Sequence, residues 1–586
     1  MKKIVNKEET NKEKELVSSE SCENKKGSNN KLWFINWSVF LVIGVFLFLL
    51  IQRILMPRWG WPRAVETISW SIDEFNNLKE DSVDVVFVGV SHMQYGISPM
   101  EIYKEYGIVS YNLATSAQPL DMTYYMLEEA FKRQSPSYVV LDASNFYFSV
   151  EGYGDSKRRN VLDSMPLSKE KIVAAKEYSE MTSDKSSKNK MERFNSIILP
   201  IIQYHTNWKS LYADNFSFTP RTDYCTAGYV MSPIKGQAYT DKEGLEKNTD
   251  DILNDNKRSF VTVLSNGELK TYEREESLYN PEIIPEQREM VKKINELCRK
   301  NNAKLIIVKL PVITFAYNYS SAWTRVKYEM TKDLAEEIGA EYFDFLFDSD
   351  IDLDINKDFH DIGYHLNYNG AVKASKIMGE YLSDNYGIGN KTCAFMDEHM
   401  ATYEKMAEIA TIQIEPDFYE YAKFLKEHSD DYIVCIAARE YWKENLTKDE
   451  EAALNILGLY SDIKEYSDTG NSYVAIIDSG NVEFEQISNR RISYFYENAG
   501  KTINVVSEGA SCGNLAEVRI NETDGERAES VAINGNGLNI VVIDKATNTV
   551  MDSCYIDTNS EDEKYHSLTH SDNSYHYLND YIYGDN

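Results

Sequence analysis

Residues 32–51 (LWFINWSVFLVIGVFLFLLI) form a run of twenty without a single charge. At helical rise, that length crosses the hydrocarbon core of a bilayer. The run is apolar all round, which excludes a surface helix with one polar face. Trp33, Trp37, Trp59 and Trp61 stand near its two ends, as interfacial anchors do. No small-residue cleavage site follows; QRILMPRWGWPR comes instead, so residues 32–52 are expected to be a retained signal anchor.

Beyond a connector at 53–80, with a helical stretch near 64–78, the pattern changes to short apolar runs alternating with amphipathic ones. Residues 85–89 (VVFVG) are continuously apolar, the mark of a strand covered on both faces. Residues 107–114 (GIVSYNLA) predict a second strand, 120–133 a helix, and 138–141 a third strand ending in Asp142. Residues 150–280 break the rhythm and are read as an insertion, with helical patches at 169–180 and 193–205. The alternation resumes with a helix from Pro285, a strand at 303–311, a helix at 324–338, a strand at 340–345 and a closing helix at 371–382. Such βα alternation predicts a three-layer, doubly wound parallel sheet, an α/β domain over 81–390, with ligands at the carboxyl ends of its strands.

After a helical linker at 391–414, period-two alternation takes over in DYIVCIAAR, SYVAIID and GLNIVVID. Turn signals such as DSGN and NGNG separate some of these runs. Residues 415–558 are therefore expected to form a β-rich α+β domain, and 559–586, rich in Tyr and His, a solvated polar tail.

The formal net charge of −31 over 586 residues excludes nucleic acid as a partner, because a polyanion is repelled over most of such a surface. The seven cysteines form no CxxC pair and no zinc-spaced cluster, so neither metal nor cofactor is expected. Asp350, Asp352 and Asp354 lack the glycine and terminal glutamate of a calcium loop and are read as a solvated acidic loop. The first 31 residues hold eight lysines and are polar enough to be disordered; three arginines follow the span. This bias predicts a cytoplasmic N-terminus and extracellular C-terminal domains.

Two stretches carry candidate chemistry. FVGVSH delivers Ser91 to the tip of the first strand, and DFHDIGYHLNYNGA places Asp361 and His365 before the closing helix, at the same edge of the sheet. A serine needs a base to take its proton, a group to orient that base, and donors for the developing oxyanion. With YNLATSAQPL, DSMPLSKEKI, IIQYHTNWK and NELCRKNNAKLIIVKLP, these stretches resemble the SGNH (GDSL-like) hydrolase superfamily over about 80–390. The resemblance is nearest to membrane-anchored bacterial surface-polymer proteins: the D-alanine-transfer protein of teichoic acid modification and exopolysaccharide O-acetyltransferases. It implies Ser91 as nucleophile, His365 as base and Asp361 as orienting acid. It also implies an oxyanion donor at Ala117, where the superfamily carries glycine, and a side-chain donor at Asn145 or, alternatively, Asn112. The superfamily spaces its acid and base as DxxH; here the spacing is DxxxH, with His360 in the same loop.

YIVCIAARE, SYVAIIDSGN and GLNIVVIDKATNTVMDSCYIDT resemble the interleukin-like EMT inducer (ILEI) domain. That resemblance implies a non-catalytic module that binds carbohydrate. The joint expectation is a membrane-anchored serine esterase or O-acyltransferase acting on a cell-surface glycan or wall polymer. A multi-spanning acyl exporter is implied as its partner. The alternative is a catalytically silent surface protein that binds wall glycan.

Overall fold

The computed structural model describes residues 33, 35–56, 68–147, 155–181, 189–209, 211, 213–216, 225–236, 259–263, 269–273, 282–312, 324–354, 356–361, 363–459, 469–522, 528–562, 566–574 and 577–578. They fall into two compact units.

The smaller unit joins the N-terminal segment to residues 188–219. Its long helix α1, Ile35–Leu55, is long and apolar enough to cross a membrane, by length and composition, and its side chains are almost all exposed. It runs three residues past the end of the expected anchor, and residues 207 and 215 meet its last carbonyls: Asn207 Nδ2 donates to Leu55 O at 3.1 Å, and Asn215 Nδ2 to Ile54 O at 2.9 Å. The helix expected at 193–205 is broken into α8 (Lys190–Ile198) and a short turn, Ile201–Tyr204, because Pro200 interrupts it.

Among the described residues the larger unit holds two large sheets and a two-stranded one, Ser259–Val263 paired with Leu269–Glu273. In the first, five parallel strands lie in the order β2 (Ser110–Asn112), β1 (Val85–Val88), β3 (Tyr138–Asp142), β6 (Lys304–Lys309), β7 (Glu341–Asp344). This is the 2-1-3-4-5 order of a doubly wound sheet, and the strand order reverses beside β1. All four residues of β1 are buried, which is why its sequence does not alternate. Helices α3 (Ser91–Gly96) and α4 (Pro99–Tyr106) pack against the closing helix (Tyr368–Tyr386); α5 (Leu120–Ala130) packs against the helix Pro285–Lys300. The core between sheet and closing helix joins Phe87, Met93, Ile97, Phe343, Phe359, Leu366 and Met378.

The α/β reading holds in its coarse form, and the differences have local causes. The strand expected at 107–114 shrinks to three residues because Gly107, in the left-handed region at φ 63°, terminates α4. The closing helix starts three residues early because the Asn367 side chain accepts from Gly370 N and caps it. Within the expected insertion, residues 225–236 run across the core: Asn112 N donates to Ala227 O at 3.0 Å, and Tyr368 N to Ser232 O at 2.9 Å.

Among the described residues the second sheet has nine strands and is antiparallel apart from a short parallel contact between strands Lys501–Gly509 and Tyr432–Glu440. Strands β8 (Tyr432–Glu440), β9 (Ser472–Asp478) and β14 (Gly537–Asp544) form its centre. The expected linker is a helix with one buried face, Ala394–Ile414, whose Tyr403 hydroxyl donates to Glu101 Oε1 at 3.1 Å. The segment expected to be a solvated tail supplies strand β16 (Thr569–His570), paired with β15 (Val550–Ile556). His570 anchors it, with Nε2 2.8 Å from Glu415 O and Nδ1 3.0 Å from Asp552.

Candidate active site

The turn after β1 is tight because residue 89 has no side chain. A Cβ on Gly89 would stand 2.5 Å from Asp142 Cβ at the end of β3. The closeness of these strand ends lets α3 start at Ser91, over the switch point of the sheet.

On the far side of the chain, the loop before the closing helix is folded back by a bridge between Phe359 and Leu366 and by His360 N donating to His365 O at 3.0 Å. This brings His365 to Ser91 across 274 positions: Ser91 Oγ lies 2.8 Å from His365 Nε2. His365 Nδ1 lies 2.7 Å from Asp361 Oδ2. With a carboxylate at Nδ1, that nitrogen carries the proton and donates it, and Nε2 is left as an acceptor for the serine hydroxyl. Asp361 Oδ1 accepts from Tyr364 N at 2.8 Å and His365 N at 2.9 Å, so one oxygen holds the loop while the other holds the ring. The DxxxH spacing therefore leaves the carboxylate within hydrogen-bond reach of the ring. Burial alone would raise the Asp361 carboxyl, but hydrogen bonds from the His365 ring and backbone N–H outweigh it and hold it below the usual carboxylate range. Its anion therefore persists across the neutral range.

The His365 ring lies between two other imidazoles. His92 stacks on it with centroids 5.2 Å apart, and so does His360, also at 5.2 Å. Burial pushes His360 down to about 4, against the pull of Asp361. Burial, then the charges of Lys309 and His365, hold His92 well below the ordinary histidine value. Both flanking rings are thus neutral at pH 7.

His92 is fixed by hydrogen counting. Ser144 Oγ donates its one hydrogen to Asp142 Oδ1 at 2.7 Å and accepts from Lys309 Nζ at 2.9 Å. The 2.8 Å contact with His92 Nδ1 is then a donation from that nitrogen to the hydroxyl. None of His92, Ser144 and Lys309 was singled out from sequence. The available signal was position: Ser144 follows β3, and Lys309 ends β6, at the carboxyl edge where Ser91 stands.

The three expected oxyanion groups differ. Asn112 is fully buried and spends both amide hydrogens, on Met93 O at 2.8 Å and Ile97 O at 3.0 Å. It brackets α3 from below and has no hydrogen left for a substrate. Asn145 Nδ2 donates to Gln118 O at 2.8 Å, which ties the turn after β3 to the TSAQ loop. Ala117, in that loop, has φ 54°, the left-handed region that glycine adopts freely. The loop thus keeps the backbone shape of a glycine although its residue is alanine.

Gly236 packs against the acid. A Cβ there would lie 2.1 Å from Asp361 O, a backbone atom that cannot swing aside. Gly236→Ala is therefore expected to displace the Asp361 loop and, if the chain turns over esters, to lower that turnover by about 10²-fold, the cost of an ångström-scale misplacement. Turnover measured beside the thermal midpoint checks this: the first falls steeply while the protein stays folded at assay temperature.

Among the described residues, two groups bring possible metal-ligating atoms within 4.8 Å of one another: His360, Asp361 and His365, and Asp552, Cys554 and His570. In the first, the ligating atoms of Asp361 and His365 already bond each other; in the second, Asp552 accepts from the Tyr421 hydroxyl at 2.7 Å and faces His570 Nδ1.

No family model and no curated protein matches the chain. Among solved structures, it is similar to the crystal structure of a presumed acylhydrolase from Bacteroides fragilis, at 11% identity and a TM-score of 0.24, over 53% of this chain and 94% of the other. A likeness at that level bears on neither the site nor its activity.

Proposed function

We propose that the chain is a membrane-anchored, extracytoplasmic serine esterase or O-acyltransferase of SGNH type, acting on a cell-surface polysaccharide or teichoic acid-like polymer. The single observation that carries this reading is the continuous chain of hydrogen bonds from Ser91 through His365 to Asp361, at 2.8 and 2.7 Å. In the reaction, Ser91 Oγ attacks the acyl carbonyl and its proton passes to His365 Nε2. The alcohol leaves with that proton, and the acyl group stays on Ser91 as an ester. An acceptor hydroxyl, from carbohydrate or water, then gives its proton to His365 and takes the acyl group, and Ser91 is re-protonated. The anionic Asp361 stabilises the imidazolium in both halves. The Ala117 N–H and the second amide hydrogen of Asn145 are the donors we assign to the oxyanion.

Apolar helix α1 supports the anchor, and the acyl donor would reach the site through a multi-spanning exporter. The second sheet, in this reading, holds the glycan. The test is pre-steady-state: mixing with p-nitrophenyl acetate gives a burst of nitrophenol stoichiometric with enzyme, followed by slower turnover that added glycan acceptors accelerate. No burst and no turnover, from folded protein, would favour a silent glycan-binding protein.

Ala117 gives a further expected result. Ala117→Gly leaves turnover within about two-fold, because glycine adopts the same left-handed backbone without strain. Ala117→Val puts a β-branched residue there, costs about 1–3 kcal/mol and moves the amide, so turnover drops by about ten-fold or more. Turnover and urea midpoints of the two variants, measured together, check both outcomes.

A further inference from the structure

Helix α1 ends in carbonyls that have no partner within the helix, as every α-helix does. At the end of a membrane span such groups must be satisfied, since an unpaired carbonyl in lipid costs several kcal/mol. Here a distant part of the chain satisfies them. Asn207 Nδ2 donates to Leu55 O at 3.1 Å; Asn215 Nδ2 donates to Ile54 O at 2.9 Å and to Met56 O at 3.3 Å. These bonds fix residues 207 and 215 at the depth where the span ends.

Each capping asparagine is followed at once by an exposed aromatic residue: Trp208, 64% exposed, and Phe216, 53% exposed. Consecutive Cα atoms are about 3.8 Å apart, so both rings start within one residue of the span's end. Met191, Leu199 and Ile202 in the same segment are exposed as well. Single exposed apolar side chains are ordinary on a protein surface, but five within 26 positions, in a segment tied to the end of an apolar helix, are not. Charge agrees. Residues 188–219 contain four Lys and Arg (188, 190, 193, 209) against two Asp and Glu (192, 214), a local balance of +2 in a chain of −31. Lys209 Nζ lies 5.8 Å from the centre of the Trp208 ring, the pairing of aromatic body and basic head found at membrane interfaces.

We propose that residues 189–209 and 213–216 form an interfacial foot. The segment lies on the outer leaflet beside the point where α1 emerges, with Trp208, Phe216 and Ile202 in the boundary between headgroups and acyl chains and Lys190 and Lys209 among anionic headgroups. This rests on α1 being a membrane span. The foot caps the span and gives the anchor a second contact with lipid, which limits how freely the chain pivots about a single helix.

The test uses the full-length protein in vesicles of phosphatidylglycerol and phosphatidylcholine, with and without bromine at a shallow acyl position. Subtracting the spectrum of Trp208→Phe isolates the emission of Trp208; subtracting that of Trp37→Phe isolates a reporter inside α1. The foot predicts that Trp208 emission is blue-shifted and quenched by bromolipid. The span predicts that Trp37 is quenched too. A water-like, unquenched Trp208 beside a quenched Trp37 would overturn the foot and leave the anchor standing. A blue-shifted but unquenched Trp208 would mean that protein, not lipid, covers the segment, and would also overturn it. If neither residue is quenched, the span fails and the foot with it.

Discussion

Ser91→Ala and His365→Ala each lower ester turnover by about 10⁴-fold or more, and the double variant loses no more than either single one. The size follows from the geometry. Ser91 Oγ and His365 Nε2, 2.8 Å apart, act as one unit: without the hydroxyl there is nothing to acylate, and without the imidazole the hydroxyl keeps its proton. Four decades in rate correspond to about 5.5 kcal/mol of transition-state stabilisation. Neither change opens a void in the core, since both side chains are only partly buried, so folding is expected to survive. Turnover of a p-nitrophenyl ester by the four proteins checks the prediction. Equal losses that multiply in the double variant would mean that the two residues act separately.

Asp361→Asn is the second large effect, about 10²- to 10⁴-fold in turnover, and it arises differently. The asparagine oxygen can still accept from Tyr364 N and His365 N, so the loop keeps its shape. Its amide then faces His365 Nδ1, now as a donor, and the imidazole must carry its hydrogen on Nε2. A protonated Nε2 cannot take the Ser91 proton. The native carboxylate also carries a pH signature. Because its pKa lies below the usual range, the stability it contributes is present above the unfolded value and is lost as the pH falls through the depressed native value. Asp361→Asn therefore removes stability at pH 7 but little at strongly acidic pH. Urea midpoints of the two proteins across that range check the sign.

The parts of this molecule that periodicity reports were legible from its sequence. Residues 85–88 are buried on both faces, so the run is continuous and the strand is plain. The meeting of Ser91 and His365 was legible because one follows a strand and the other precedes the closing helix, at the same edge of the sheet, although 274 residues separate them. Helices α3 and α4 were not foreseen: SHMQYGISPMEIYKEY is interrupted by Gly96 and Pro99, and Ser98, which caps α4, also reads as a turn residue. Asn112 looked like a strand-end polar group, yet the fold spends it on the carbonyls of α3. The stack of His92, His365 and His360 and the Ser144 hydroxyl beside it join three stretches of chain, and no local pattern encodes that meeting. Ala117 shows the converse. Its side chain departs from the glycine of the resembled superfamily, but its φ of 54° keeps the backbone that a glycine would supply.

The most direct test of the central claim is intact-mass analysis of the full-length protein after treatment with a fluorophosphonate, followed by peptide mapping. The account predicts one adduct per chain, located on Ser91, absent from Ser91→Ala and slowed by orders of magnitude in His365→Ala. Folded wild-type protein that takes no adduct, or an adduct that persists in Ser91→Ala, would contradict it.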